Sequence, residues 1–195
     1  MPEKTVVFCE GIREATLVSL ILDERGISNS IVTHESLENS RENTPENNRI
    51  NEFLGRKGKS VKFLLKDEGG DTKCAESFLN LYEDKDDRYI GVVFIDSTGQ
   101  RYLLRRAQEK FKRDFLKRES DNLYLTRDSM NPRIVHRLFF TPEDLERQVL
   151  AITGKNLDRQ NRDEMRAVLR DFITKCRERG IDWFSELEHV VLSEA

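Results

Sequence analysis

Apolar residues recur along the chain with two different periods, and their alternation predicts the fold. Thr5-Val6-Val7-Phe8-Cys9 is a short β-branched and aromatic run closed by Glu10-Gly11, which reads as a strand and a turn. Ile12, Ala15, Leu17, Val18, Leu20, Ile21 and Leu22 then follow at helical spacing and stop at Gly26. Ile27 to Thr33 predicts another short strand, and residues 35–59 are polar and read as a loop or insertion with one helical turn around Ile50 to Leu54. The unit then repeats. Val61 to Leu65 reads as a strand, Asp67-Glu68-Gly69-Gly70-Asp71 as a turn with Asp71 capping, and Thr72 to Tyr82 as a helix. Tyr89 to Ile95 predicts a buried strand, Asp96-Ser97-Thr98-Gly99 its turn, Gln100 to Lys117 a helix and Asn122 to Thr126 a further strand. Such alternation predicts an α/β, Rossmann-like fold: a mostly parallel sheet flanked by helices. From Thr141 onward the spacing is helical, with a start at Thr141-Pro142-Glu143-Asp144, a long run from Asn161 to Arg179 ended by Gly180, and a last helix from Asp182 to Leu192. The expected organisation is an α/β domain over residues 1–135, with its polar insertion at about 35–59, and a C-terminal helical extension over 136–195 packed on or capping it.

Composition narrows this further. A chain of 195 residues with 37% hydrophobic positions and 11 Phe supports one core and disfavours two full domains. The longest apolar run, Thr16 to Leu22, is far short of a bilayer span, and the start is too quickly acidic for a signal peptide, so a cytoplasmic location with no membrane partner is expected. Cys9, Cys74 and Cys176 are odd in number and widely separated, which supports neither a disulfide framework nor a zinc site.

The net charge of −3 conceals an uneven distribution. Residues 1–100 carry 13 Lys and Arg against 19 Asp and Glu, residues 101–137 carry 11 against 5, and residues 138–195 carry 9 against 12. A basic segment is therefore bracketed by acidic ones, which allows a local phosphate-binding surface on an acidic protein. Within it, Leu103, Leu104, Ala107, Phe111 and Phe115 form an apolar stripe on the predicted helix, and Arg101, Arg105, Arg106, Lys110, Lys112, Arg113 and Lys117 cover the rest. This face is a candidate for nucleic-acid phosphates, extended by Arg127, Arg133 and Arg137; the alternative is a solvated face balanced by neighbouring acids.

Carboxylates stand at three predicted strand ends: Glu10, the pair Asp67 and Glu68, and Asp96. Ligands of open parallel sheets bind beyond these carboxyl ends, and converging carboxylates suit Mg²⁺ or Mn²⁺. The strand-Glu-Gly at Val6 to Gly11, the strand-Asp at Val92 to Gly99 and the Gly-Gly-Asp turn at 69–71 together resemble the Toprim fold of topoisomerases, primases and related nucleases. The resemblance covers about residues 4 to 126. It implies Mg²⁺-dependent phosphoryl transfer on nucleic acid, with Glu10 as acid/base or metal-facing carboxylate and Asp96 as metal ligand. Thr98 stands where the family's second Asp would be, and its neutral hydroxyl is a weaker magnesium ligand. Either Asp67, Glu68 or Asp128 completes the site, or the fold is kept without catalysis, as a nucleic-acid-binding module or a protein adaptor acting through its helical tail.

Other motifs point nowhere. Gly55 to Ser60 lacks the first Gly of a P-loop and precedes a strand, no GxGxxG follows the first strand, and Ser97 has no elbow motif. His34, His136 and His189 lack metal spacing and read as surface or core histidines, and Trp183 reads as core or a partner surface.

Overall fold

The computed structural model describes residues 4–33, 61–83, 89–110, 116–127, 135–157 and 161–194. The polar insertion at 35–59 lies outside the described residues, as do Arg113, Asp128 and Arg133. In chain order the elements are β1 (Lys4–Cys9), α1 (Ile12–Glu24), β2 (Asn29–Val32), β3 (Phe63–Asp67), α2 (Asp71–Glu83), β4 (Tyr89–Asp96), α3 (Ser97–Lys110), β5 (Leu116–Arg118), β6 (Leu123–Arg127), β7 (Val135–Thr141), α4 (Leu145–Thr153), α5 (Arg162–Arg179) and α6 (Asp182–Leu192).

The strands form one seven-stranded sheet in the order β2-β3-β1-β4-β7-β6-β5. The first five in that order are parallel, and β6 and β5 continue the sheet as an antiparallel hairpin. The expectation of a mostly parallel α/β sheet flanked by helices is met. Alternate strand residues face opposite sides, which sorts the core into two layers. Val7, Cys9, Phe63, Leu65, Val92 and Phe94 pack with α1, α4, α5 and α6, whereas Val6, Phe8, Leu64, Val93 and Ile95 pack with α2 and α3.

The C-terminal helices share the sheet's own core. Residues 14–22 of α1 are all buried, because the sheet covers one side of this helix and α5 and α6 the other. The start of α5 is fixed by a capping box, in which Asn161 accepts from the Asp163 and Glu164 N–H groups while Glu164 accepts from the Asn161 N–H. Gly180, at φ +61°, ends it in the left-handed conformation.

Two elements depart from the sequence reading. Residues 136–141, grouped above with the helical extension, belong to β7, which lies between β4 and β6. Leu138, Phe139 and Phe140 are all buried, the continuous apolar run of a strand covered on both faces. The helix expected over Gln100–Lys117 begins at Ser97, and its assigned span ends at Lys110; Lys117 lies in β5, paired with Leu125 of β6. Ladder pairing overrides helical spacing at that point. His136 is a core histidine whose Nδ1 accepts the Gly91 N–H at 2.8 Å. Among the described residues, no helix is long and apolar enough to cross a membrane.

Candidate functional site

The sheet order places the topological switch between β1 and β4. From β1 the chain leaves through α1 on one face of the sheet, and from β4 it leaves through α3 on the other, so a crevice opens between the two strand ends. Glu10 and Asp96 meet there: the Asp96 N–H donates to Glu10 Oε2 at 3.2 Å, and the Glu10 N–H donates to the Phe94 carbonyl at 3.2 Å. The crevice holds about 300 Å³, and its lining includes Glu10, Arg13, Glu14, Asp96, Asp144 and Glu146. Gly99 lets the start of α3 pack against the start of α2, because a Cβ there would come within 2.8 Å of Asp71 Cβ.

The sequence-derived acids divide. Glu10 and Asp96 line the crevice, but Asp67 and Glu68 do not. Asp67 accepts the Gly69 N–H at 3.1 Å, closing its own turn. Glu68 pairs with Lys66 at 2.6 Å and accepts the Ser77 hydroxyl at 2.9 Å, so its carboxylate lies toward α2. Asp144 and Glu14 complete the acidic crevice although the sequence reading did not single them out. The signal for Asp144 was available, since it stands just beyond the end of a buried strand, but Thr141-Pro142-Glu143-Asp144 reads equally well as a helix start.

Carboxyls gathered in one crevice shift one another's titration. Burial pushes Glu10 up to about 7, with the charge of Asp96 adding to it and the Asp96 N–H opposing it. Burial likewise raises Glu14 against hydrogen bonds from its own turn and the charge of Arg13. Asp144 is raised by its hydrogen bond to Asp96 and then by desolvation. Desolvation also acts on Asp96, but hydrogen bonds from the Thr98 hydroxyl, Asp144 and the Gly99 and Thr98 N–H groups outweigh it and hold Asp96 below its usual value. Arg13 pairs with Glu146 at the rim.

The donor set does not fit a magnesium centre as arranged. Among the described residues, no group of three or more His, Cys, Asp or Glu side chains is placed to hold a metal ion. Asp96 Oδ1 already accepts the Thr98 N–H at 2.7 Å, the Gly99 N–H at 3.1 Å and the Thr98 hydroxyl, so this carboxylate is engaged as the cap of α3. Thr98 thus serves Asp96 as a donor. Thiol chemistry is disfavoured as well: burial raises Cys9 and Cys74 well above the usual range and Cys176 to about 12.

The Glu10 shift carries a testable sign. The folded protein holds the Glu10 proton up to about pH 7, whereas the unfolded chain releases it near about pH 4.3. Stability is therefore lost as the pH rises between those values. Glu10→Gln is expected to be more stable than the parent at pH 8 by about 1–2 kcal/mol, less than the full shift implies because solvent screens a half-buried group, and to match it near pH 4. Thermal denaturation across that range checks this; parallel pH profiles for the two proteins would show that Glu10 titrates normally.

A second feature begins one residue beyond Asp96. Between α3 and the β5–β6 hairpin runs a groove of about 630 Å³ whose lining includes Arg101, Leu104, Arg105, Gln108, Arg118 and Tyr124. It brings together two of the predicted phosphate-binding residues, Arg101 and Arg105. Arg106 is paired with Glu109 at 3.2 Å, and Lys117 with Glu119 at 2.6 Å. Lys110 closes the described span of α3, and its side chain is outside the description. The sequence reading placed Tyr124 in a strand but, by running the helix to Lys117, missed the hairpin that brings Arg118 beside it, although Ser120-Asp121-Asn122 between two short apolar segments is a turn signal. Comparison of the chain with protein-family models, with curated proteins and with solved structures found no match.

Proposed function

We propose that this chain is a Toprim-like module that binds nucleic-acid phosphates along the groove beside α3, without requiring a metal centre in its crevice. The observation that carries this reading is the arginine-lined groove opening next to the strand-end acids. Arg101 makes no ion pair among the described residues, and Arg105 shares its charge with an exposed Glu109 at 3.5 Å, so both cations are available to phosphate. The acidic crevice then limits where the strand can run, because phosphates are repelled from Glu10, Asp96 and Asp144 and drawn along α3.

The test is fluorescence anisotropy with a labelled oligonucleotide over a salt series. Two or three phosphate contacts predict that log affinity falls with log salt at a slope of about −2, and Arg101→Ala should lower that slope by about 0.7. A flat salt response rejects the reading.

Metal-dependent cleavage of nucleic acid, which the Toprim resemblance implies, is a second reading: the adjacency of Glu10 and Asp96 at the switch point speaks for it, and the engagement of Asp96 as the cap of α3 speaks against it. The same protein, supplied with Mn²⁺ or Mg²⁺, should then cut labelled DNA or RNA and lose that activity in Glu10→Gln and Asp96→Asn. Equal residual cutting in the variants would remove this reading.

A further inference from the structure

We infer that the occupant of the α3–hairpin groove is single-stranded nucleic acid, with its phosphates against Arg101 and Arg105 and a base against the Tyr124–Arg118 wall. This rests on the phosphate-binding reading and adds the class of ligand. Shape supports it first. The arginines line a recess between a helix and a hairpin, whereas a duplex presents its phosphates on a convex outer surface and is read by elements that project into its grooves. A volume of about 630 Å³ is that of a site for small organic groups, and an extended strand can lay one or two nucleotides into it.

The two walls differ in chemistry in the way a single strand requires. On the helical wall Arg101 and Arg105 are one turn apart, about 6 Å along the axis, and can each take one of two successive phosphates. Gln108, further along the same wall, offers both a donor and an acceptor to a base edge. On the hairpin wall the Arg118 guanidinium lies 6.0 Å from the centre of the Tyr124 ring. Both groups are held in place before any ligand arrives. Tyr124 packs edge-to-face on the buried Phe140 ring at 5.9 Å and 81°, and Arg118 donates to the Ser120 carbonyl at 3.0 Å and pairs with Asp121. Ser120 in turn fixes the hairpin by accepting the Asn122 and Leu123 N–H groups, each at 3.0 Å. A fixed aromatic and guanidinium surface stacks on any base and discriminates little among sequences.

Electrostatics alone would give weak binding here. Asp121 offsets Arg118 within the groove, which leaves Arg101 and Arg105 as the main cations, so stacking must supply a large share of the affinity. A paired base in a duplex offers no free face to this wall.

The full chain is titrated with labelled oligothymidine, oligouridine and an annealed two-strand duplex with no unpaired bases and the same number of phosphates, and binding is followed by anisotropy. Both single strands are expected to bind at least about ten-fold tighter than the duplex. Tyr124→Leu should weaken the single strands by about ten-fold with an unchanged salt slope, and Tyr124→Phe should retain binding. Arg118→Ala, at an exposed position, reads the same wall should Tyr124→Leu fail to fold, and should also lower single-strand affinity. Duplex binding equal to or tighter than single-strand binding, or full single-strand affinity in Tyr124→Leu or Arg118→Ala, overturns the inference while leaving the phosphate-binding reading in place. Absence of binding to all three probes overturns both.

Discussion

Replacing Lys66 by Met is expected to cost about 3–5 kcal/mol of folding stability, the loss found when one partner of a buried ion pair is removed and the other charge is left behind. Lys66 and Glu68 have side chains only 3% and 5% exposed, and their charged atoms are 2.6 Å apart. Strand geometry forces the arrangement. Lys66 lies on the β3 face that α2 covers, 5.5 Å from the centre of the Phe8 ring, and Glu68 reaches the same layer to accept the Ser77 hydroxyl. Methionine keeps the length and apolar character of the lysine stem, so the variant tests charge more than packing. The loss should be larger at pH 8 than at pH 5, because a buried carboxyl that has lost its lysine partner takes up a proton more readily when the solution supplies one. Adding Glu68→Gln should recover much of the stability, as the remaining polar group is then neutral. Chemical denaturation of the parent, the single variant and the double variant measures all of this. A single-variant cost below about 1 kcal/mol would mean that the pair is effectively solvated.

Phe172→Ala should be comparably severe, at about 3–5 kcal/mol for a fully buried aromatic. Phe172 lies at the centre of the C-terminal helices, its ring 5.9 Å and 85° from that of Phe184 and 6.1 Å from that of Trp183. The same apolar cluster continues without a break through α1 to Val7, Val92 and Phe94 of the central strands. Surface pairs tie these layers further: Arg177 bridges Glu24 of α1 and Glu188 of α6, and Arg166 pairs with Asp23. A cavity at Phe172 should therefore lower the single cooperative transition of the whole chain. The Trp183 fluorescence and the far-ultraviolet dichroism should shift together. If the fluorescence melted early while the sheet signal kept its parent midpoint, the helical tail would be an independent cap.

Much of the fold was legible because its signals are local. The run Thr5 to Cys9, the spacing from Ile12 to Leu22 and the turn residues at 67–71 depend on side chains a few positions apart, and the structure forms β1, α1 and α2 from them within a residue or two. Reading failed where long-range contact decided the element. Lys117 carries helical spacing but lies in β5, because pairing with Leu125 satisfies its backbone, and the short strand that His136 and Arg137 suggest runs on through Leu138 to Phe140, covered on both faces with no alternation to mark its length.

The site shows the same division. Acids at strand ends were visible as a set, and one of the three groups met a different fate from the other two for a reason that the order of residues does not contain. Glu10 and Asp96 are 86 positions apart and become hydrogen-bonded neighbours because β1 and β4 lie side by side. Glu68, one residue past its strand, lies toward α2 and Lys66. The amino-acid order by itself determined β1, α1, α2 and β4 and that carboxylates end several of the strands, since those properties follow from periodicity and short-range sterics. Only the tertiary structure decided that Asp144 joins the crevice, that Asp96 is spent on capping α3, and that Arg118 and Tyr124 face Arg101 across a groove. Strand order and packing direction are fixed by the burial of the whole apolar surface at once, and no local stretch of sequence carries that information.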